Sequence, residues 1–287
     1  MKPPSPLEPV LAHVRAEPSR TWSIIISFFG DAIVPRGGHV WLGTLLAFFK
    51  GMDVSETVVR SAVSRLAAED WLSRTKVGRN SFYHLAERGR ETFAQATQRI
   101  YHPHKQRWHG SFDAWLFESG SREAMAALED AGLGLAAPGL LIAPGGREPP
   151  KLLPPSLPLT LGGTPADLRE LASRAWKLAN LASFYQEFID VFSPLQQALA
   201  QGATLSPLLA MLARVLLVHE YRRIILRDPM LPTEILPTTW PGETAQALCA
   251  EIYAQLLPPS EAWLDENALG EDFLPLPQHP DIYKRFK

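Results

Sequence analysis

The sequence is poor in cysteine, with Cys249 alone among 287 residues. One cysteine can form neither an intrachain disulfide nor a zinc site made of several thiolates. The apolar runs are too short or too interrupted to span a bilayer, and the first residues, MKPPSPLEPV, lack the apolar stretch of a secretory signal. These absences predict a soluble, cytoplasmic protein that does not interact with a membrane.

The motifs of the common enzyme classes are also missing. The chain has no Walker loop, no Rossmann glycine pattern and no G-x-S-x-G nucleophile motif. The segment HEYRR at 219–223 begins like a zinc-protease helix but lacks a histidine four residues after the first. His102, His104 and His109 lie in a junction without cysteine or acidic residues at ligand spacing. We therefore expect no enzyme, no catalytic residue, no metal site and no cofactor.

Charge is distributed unevenly along the chain. Residues 1–109 hold 15 Lys and Arg against nine Asp and Glu, whereas the remainder holds 13 against 21. This asymmetry indicates that only the first third contacts a polyanion, although ordinary fluctuation of charge would explain it equally well. The 26 prolines cluster in segments that resemble linkers, which favours several domains.

The first third has the element order of a winged helix-turn-helix. The pattern predicts a helix over 20–31 that stops near Gly30, a short strand at His39–Trp41 and a second helix that ends near Gly51. A third helix follows, with Ser55 or Asp53 as its N-cap. Two strands, Trp71–Val77 and Ser81–Leu85, then flank a Gly-Arg-Asn turn, and another helix leads to a proline-interrupted junction.

The third helix has two different faces. Val59, Ala62, Val63 and Leu66 recur at helical spacing and face a core, whereas hydroxyl and arginine side chains cover the other side. Arginine and hydroxyl groups on a helix in the major groove read bases and phosphates, and cations on a wing contact the backbone. An ordinary solvated helix, or a protein-interaction module, is the alternative. The predicted DNA-binding residues are Ser55, Thr57, Arg60, Ser61, Ser64, Arg65, Arg74, Lys76 and Arg79.

The remaining residues predict a multidomain α+β protein. A strand near Asp113, a helix ending at Gly132 and a strand in GLLIAPGG are compatible with a small ferredoxin-like domain, and the Pro-rich KLLPPSLPLTLGG is an edge strand or a loop. Long helical patterns follow from Pro165, with an expected break near Pro194, a helix that stops before Pro229 and an irregular tail packed on the outside. The predicted domains are 1–100, 101–164 and 165–287.

Ordered segments along the chain together resemble the PaaX family of repressors of phenylacetate degradation operons. They are GDAIVPRGGHVWLGTLL, VRSAVSRLAAEDWL, GRNSFYHLAERG, RWHGSFDAWL and HEYRRIILRDPMLPTEILPTTWPG. The resemblance implies a homodimeric transcriptional repressor with a winged helix-turn-helix, a central ferredoxin-like domain similar to Cas2 proteins, and an all-α C-terminal domain. It also implies that phenylacetyl-CoA releases the operator, which as an inverted repeat would match the two-fold symmetry of the dimer.

An acyl-CoA effector needs cations for its phosphates and an apolar slot for its acyl group. Each residue that could supply them could equally be structural, since the arginines could pair with nearby carboxylates and the aromatic residues could belong to a core. The effector-binding candidates are Trp176, Asn180, Phe184, His219, Arg222, Arg223 and Arg227.

Two alternatives remain at this point. The first is a winged-helix regulator that answers to another acyl-CoA or to no ligand. The second is a DNA-binding protein whose central domain is a metal-dependent nuclease, with Asp113 as a metal ligand. The ligands that release the protein from DNA distinguish the first alternative from the phenylacetyl-CoA-responsive repressor. Catalytic cleavage of DNA distinguishes the second.

Overall fold

The computed structural model describes residues 6–16, 21–104, 106–118, 120–146, 151 and 153–286. These residues form two compact units, each made of segments that are distant in sequence. The first unit draws on 1–102, 188–223 and 244–287, and the second on 103–187 and 224–243. The mixed α+β class is confirmed. The division into domains at 100 and 164 stays a prediction, since compactness does not test which segments fold alone.

The N-terminal elements of the first unit appear in the predicted order, preceded by a helix at Glu8–Ala16 that was not predicted. Strand β3 is central in a three-stranded antiparallel sheet of order β1-β3-β2. The hairpin is confirmed, with Gly78 in its turn at φ +59°, a conformation that glycine adopts without steric cost. These elements are Glu8–Ala16 (α1), Thr21–Phe28 (α2), His39–Trp41 (β1), Leu42–Lys50 (α3), Glu56–Ala68 (α4), Leu72–Val77 (β2), Asn80–Leu85 (β3) and Glu87–Tyr101 (α5).

The predicted stop near Gly30 is wrong, because α2 continues into a π-helical turn at Phe29–Ile33. A Cβ on Gly30 would lie 2.4 Å from the ring of Phe93, so glycine here permits close packing and does not end the helix. The turn brings Asp31 into the interior, where its side chain is fully buried. A single π turn within a helix often accompanies a functional or structural specialisation, and here it places a buried carboxylate.

Long helices make up most of the C-terminal region, and their breaks differ from those predicted. They are Pro165–Ala175 (α7), Leu178–Ala200 (α8), Pro207–Ile225 (α9) and Gly242–Asn267 (α10). The break lies at Lys177, whose φ is +50°, and α8 runs through Pro194 without interruption. Phe188, Phe192 and Leu195 are buried around this proline. Their burial offsets the roughly 3 kcal/mol that a proline costs inside a helix.

The segment after α10 is mostly irregular and exposed, as expected, but a few of its side chains reach the interior. A 3₁₀ turn at Pro280–Lys284 buries Ile282, and the side chain of Arg285 is only 9% exposed. A guanidinium is buried only where oxygen atoms accept its hydrogen bonds, and Arg285 finds them at Asp31 and Gly30.

A buried network of charged side chains joins the segments of the first unit. Arg214 donates from Nε to Oδ2 of Asp31 at 2.6 Å and from Nη1 to Oε1 of Glu261 at 2.5 Å. Arg36 donates from Nη2 to Oε2 of the same glutamate at 2.6 Å. The phenol groups of Tyr101 and Tyr253 donate to Oδ1 of Asp31 at 2.7 and 2.9 Å.

The ionisation of Asp31 depends on this network. Burial would raise the pKa of its carboxyl, but the positive charges of Arg214 and Arg285, together with hydrogen bonds, outweigh that effect. The two tyrosine hydrogen bonds act in the same direction as the arginines. The pKa therefore lies below its ordinary value, and Asp31 is ionised at neutral pH.

The second unit is built on a four-stranded antiparallel sheet of order β5-β6-β4-β7. Helix α7 covers one face, where Phe112, Ala114 and Ile142 point, and α6 covers the other, which holds Trp115 and Leu141. The edge-strand alternative for the Pro-rich segment is confirmed by β7. The strands and helix are Phe112–Leu116 (β4), Arg122–Asp130 (α6), Gly134–Ala137 (β5), Leu140–Pro144 (β6) and Leu157–Leu161 (β7).

Two further expectations concern the ferredoxin-like domain and membrane-spanning helices. The described residues between β6 and β7 contain no helix, and α7 comes after β7, so the ferredoxin-like assignment stays a prediction. Within the described ranges, no helix is long and apolar enough to cross a membrane.

We predict that Asp31→Asn lowers the free energy of unfolding by about 3–5 kcal/mol. The change removes one partner of a buried ion pair and leaves the charge of Arg214 incompletely balanced in the interior. Urea unfolding at neutral pH measures the effect. Glu91→Gln removes an exposed carboxylate from α5 and is the matched control, with an expected change within about 0.5 kcal/mol. Equal stability of the two variants would contradict a structural role for Asp31.

Candidate nucleic-acid interface

Helix α4 is fixed in the first unit by one apolar face. Val59 and Val63 are fully buried, Leu66 is 1% exposed, and the helix packs against α2 and α3. The helix begins at Ser55, whose backbone is extended but whose side chain makes no capping hydrogen bond. Its opposite face is thereby presented to solvent in a fixed orientation.

All the predicted DNA-binding side chains are exposed. The α4 group shares one face of the helix, and the hairpin group lies on β2 and in the turn that follows it. The α4 group is Ser55, Thr57, Arg60, Ser61, Ser64 and Arg65, and the hairpin group is Arg74, Lys76 and Arg79. DNA can contact only exposed side chains, so this exposure is compatible with the prediction. The DNA-binding role of these residues stays a prediction.

The arginines of α4 are held by weak contacts along the helix surface. Arg60 pairs with Glu56 at 3.2 Å and Arg65 with Glu69 at 2.7 Å, each four residues away, and all four side chains are at least 44% exposed. Such pairs contribute only about 0.3–0.5 kcal/mol. Either arginine can therefore exchange its carboxylate for a base edge or a phosphate at little cost.

Sequence reasoning missed one further cation beside this surface. Arg88, at the start of α5, is exposed and donates from Nη1 to the carbonyl oxygen of Glu69 at 3.3 Å. Its guanidinium also lies 5.0 Å from the centre of the Trp71 ring. The two arginines of AERGRE were the available signal, but only the fold shows that this segment returns to the end of α4.

Three of the effector-binding candidates lie on α9 in the first unit, and two of them contact α2. Arg222 donates to the Ser27 hydroxyl at 2.6 Å, to the Ser23 hydroxyl at 2.8 Å and to the Ser23 carbonyl at 3.0 Å. His219 is fully buried, with Nδ1 lying 2.8 Å from Oγ of Ser27. Arg223 is 41% exposed and pairs with Glu220 at 2.9 Å. A ligand could reach His219 only after α9 and α2 rearranged.

Burial and charge determine the ionisation of these α9 groups. Desolvation, followed by the charges of Arg222 and Arg223, lowers the pKa of His219 to about 3, so its imidazole is neutral at physiological pH. Desolvation, with the charge of Arg223, lowers the pKa of Arg222 to about 10, so its guanidinium stays protonated.

The other effector candidates lie in the second unit. Trp176 packs against Phe112, with ring centres 5.9 Å apart, and donates from Nε1 to the Gly132 carbonyl at 3.1 Å. Asn180, Phe184 and Arg227 are exposed, and Phe184 is 45% exposed, which is high for a phenylalanine. No ligand has tested any of these assignments, so each stays a prediction.

Asp113 has a structural environment. Its Oδ2 accepts a hydrogen bond from the backbone of Gly146 at 2.8 Å. Within the described part of the chain, it does not belong to any group of three or more His, Cys, Asp and Glu residues that could hold a metal ion, and neither do His102, His104 and His109. No geometric observation therefore favours the nuclease alternative.

Comparison with known proteins addresses the class of the chain. A model of PaaX-like proteins matches residues 20–89, and a model of the C-terminal domain of PaaX-like proteins matches residues 176–266. The chain is 34% identical over 296 residues to the transcriptional repressor PaaX of Escherichia coli (strain K12), with 95% of this chain and 92% of the relative covered. The chain belongs to the PaaX family.

PaaX-family membership confirms the resemblance seen in the sequence motifs. The matched region 20–89 contains α4 and the hairpin, and the matched region 176–266 contains α9. The family is one of transcriptional regulators, which agrees with the expectation that the chain is not an enzyme. The family models do not identify the effector or the operator.

We predict that His219 makes stability fall as the pH drops below about 6.5. An unfolded histidine binds a proton near that pH, whereas the buried imidazole stays neutral until about pH 3. Between these values the unfolded chain holds the extra proton, so the free energy of unfolding decreases by up to about 1.4 kcal/mol per pH unit on acidification. Urea unfolding of wild type and His219→Gln across pH 4.5–7.5 compares the slopes.

The variant should show the shallower slope, because it lacks the titrating group. His279→Gln is the control, since it removes a histidine whose side chain is 52% exposed. Parallel curves for wild type and His219→Gln would show that the imidazole does not contribute to the acid sensitivity.

Proposed function

We propose that this PaaX-family chain is a homodimeric repressor of a phenylacetate catabolic operon that is released from its operator by phenylacetyl-CoA. The observation that carries the proposal is the exposed face of α4 together with the exposed cations of the hairpin. The similarity to a protein named as a transcriptional repressor supports the same conclusion.

In this proposal α4 enters the major groove and the hairpin acts as the wing. Arg60 and Arg65 have the donors that read guanine, and the hydroxyl groups of Thr57, Ser61 and Ser64 suit bases or phosphates. Arg74, Lys76 and Arg79 on the wing contact the backbone, where cations contribute affinity more than specificity. Two such helices in a homodimer would read an inverted repeat.

The α9–α2 contact offers a physical connection between effector and operator binding. Arg222 and His219 on α9 hold Ser23 and Ser27 on α2, and α2 packs against α4. An acyl-CoA bound through Arg223 would therefore shift α9. Because α9 is hydrogen-bonded to α2, this shift would change the position of α2 against α4. A coupling free energy of about 1–3 kcal/mol, the usual allosteric range, would change operator affinity by about 5–150-fold.

We predict that Arg60→Ala weakens binding to the operator by about 1–3 kcal/mol and relaxes preference at one base position. This is the expected effect of losing an arginine that reads a base edge. Fluorescence anisotropy with DNA from upstream of the coding sequence and with single-position variants of it, at fixed salt, measures both effects. Lys76→Ala should instead weaken binding to all sequences alike and reduce the salt slope by about 1.

Arg174→Ala is the matched control for Arg60→Ala. Arg174 is 71% exposed and pairs with Glu170 four residues before it, as Arg60 does with Glu56, but it lies on α7. It should bind the operator as wild type does. If Arg60→Ala and Arg174→Ala behaved alike, α4 would not be the recognition helix.

We predict that phenylacetyl-CoA, but not free phenylacetate, weakens operator binding by wild type, and that Arg223→Ala needs about tenfold more thioester for the same release. The guanidinium of Arg223 is available for a phosphate because its pair with Glu220 is part-exposed. The variant should bind the operator normally without effector. Titration of the protein–DNA complex with thioester, followed by anisotropy, gives the half-release concentration.

Lys284→Ala is the control, since Lys284 also pairs with a carboxylate three residues away but lies on the segment after α10. An unchanged half-release concentration in Arg223→Ala would remove this arginine from the effector site. Selective DNA binding that the thioester does not alter would keep the repressor and exclude the proposed effector.

A further inference from the structure

Two histidines and a glutamate come together at the edge of the three-stranded sheet. His39 on β1 lies directly opposite His84 on β3, and their rings stack with centres 4.5 Å apart. Glu271 follows α10, and its Oε1 lies at hydrogen-bond distance, 3.0 Å, from Nδ1 of His39. One potential ligand atom from each of the three residues lies within 4.8 Å of the others. None of these side chains belongs to the proposed DNA or effector sites.

The backbone around this cluster holds its members in place. Strand pairing fixes His39 and His84 relative to each other. The segment that carries Glu271 is attached to the same sheet, because the Trp41 amide donates to the Leu269 carbonyl at 3.0 Å. The ring of Phe273 packs edge-on against Phe82, with centres 5.4 Å apart. The backbone therefore holds the three side chains near one another, with no need for a flexible loop to fold around a ligand.

One polar atom of the cluster lacks a partner of its own. Nδ1 of His84 is buried and, within the part of the chain that the structure describes, has no hydrogen-bond partner. A buried polar atom without a partner is unfavourable by about 1–3 kcal/mol, and a bound ion is one of its common explanations. Glu271 and His39 remain 36% and 45% exposed, and a cleft of about 350 Å³ lined by both leads to solvent.

We propose that His39, His84 and Glu271 form a binding site for a divalent transition-metal ion of the zinc class. Two imidazoles and one carboxylate are a ligand set that Zn²⁺ uses, with a fourth position left to water. Imidazole ligands distinguish such ions from Mg²⁺ and Ca²⁺, which prefer oxygen. The donor atoms are separated by up to 4.8 Å. They need to approach one another by about 1 Å or more before all three can lie about 2.0–2.2 Å from one ion.

The bound ion would join the sheet to the segment after α10. Because His84 lies on β3, which also forms one arm of the hairpin, the ion would restrain the strand pair that carries the predicted wing cations. The site thus acts on the rigidity of the sheet, and its existence does not depend on which operator or effector the chain recognises.

Metal titration of the full-length chain tests the proposal. The chain is first treated with a chelator and dialysed, then titrated with Co²⁺ by visible absorption and with Zn²⁺ by competition against a chromophoric indicator. Wild type should bind one equivalent, with the absorption of a nitrogen- and oxygen-ligated Co²⁺ ion. Glu271→Gln and His39→Gln should each weaken binding at least about tenfold, since each removes a ligand.

Two variants serve as controls. Asp272→Asn removes the same negative charge from the neighbouring residue, and His279→Gln removes an exposed histidine from the same segment. Both should bind Zn²⁺ as wild type does. Zn²⁺ should also raise the thermal midpoint of wild type and of the controls, but not that of Glu271→Gln, because binding only to the folded state stabilises it.

Three results would overturn the proposal. The first is the absence of stoichiometric binding by wild type. The second is binding that survives in both Glu271→Gln and His39→Gln, which would place the metal on other histidines. The third is equal weakening in Asp272→Asn and Glu271→Gln, which would reduce the site to a general attraction of cations.

Discussion

The buried ion pair between Asp31 and Arg214 is the interaction on which the first unit depends. A carboxylate and a guanidinium are stable in the interior only when each has counter-charges and hydrogen-bond partners. The network supplies both, through Arg285 and two tyrosines on one side and Glu261 and Arg36 on the other. These residues come from α5, α9, α10 and the segments next to α2 and after α10, so the network joins the N-terminal helices to the long C-terminal helices.

This connection changes how the N-terminal helices α2, α3 and α4 are to be understood. These helices pack on one another through Val59 and Val63. In addition, α9 is hydrogen-bonded to Ser23 and Ser27 of α2. Charged and hydroxyl contacts of this kind depend strictly on geometry, whereas apolar packing tolerates small shifts. Any shift of α9 relative to α2 would therefore break or form defined hydrogen bonds.

The sequence predicted features that depend on neighbouring residues. The two faces of α4 follow from helical spacing, and the hairpin follows from alternation around Gly78, so both appear as expected. Pro194 misled, because it lies inside a continuous helix whose apolar face is buried. Strand β5 was missed because its residues, GLAA, carry little strand signal.

The candidate sites also differ in whether their residues are close together in the sequence. The α4 surface could be read from residues 55–65 alone, since one helix presents it. The network around Asp31 and the cluster of His39, His84 and Glu271 could not, because partners 183 and 232 residues apart carry no local pattern. For the effector candidates, adjacency in HEYRR suggested a shared role, but the helix directs His219 inward and Arg223 outward.

The separation of Asp31 from Arg214 has a consequence for biosynthesis. At about 5–20 residues per second, the 183 residues between them take a ribosome roughly 10–40 s to translate. During that interval the nascent N-terminal helices carry a carboxylate whose main counter-charge does not yet exist. The π turn that buries Asp31 can therefore reach its final form only after α9 has emerged. Helix α4 of a growing chain would thus be held in its mature setting late in translation, even though its own residues are made early.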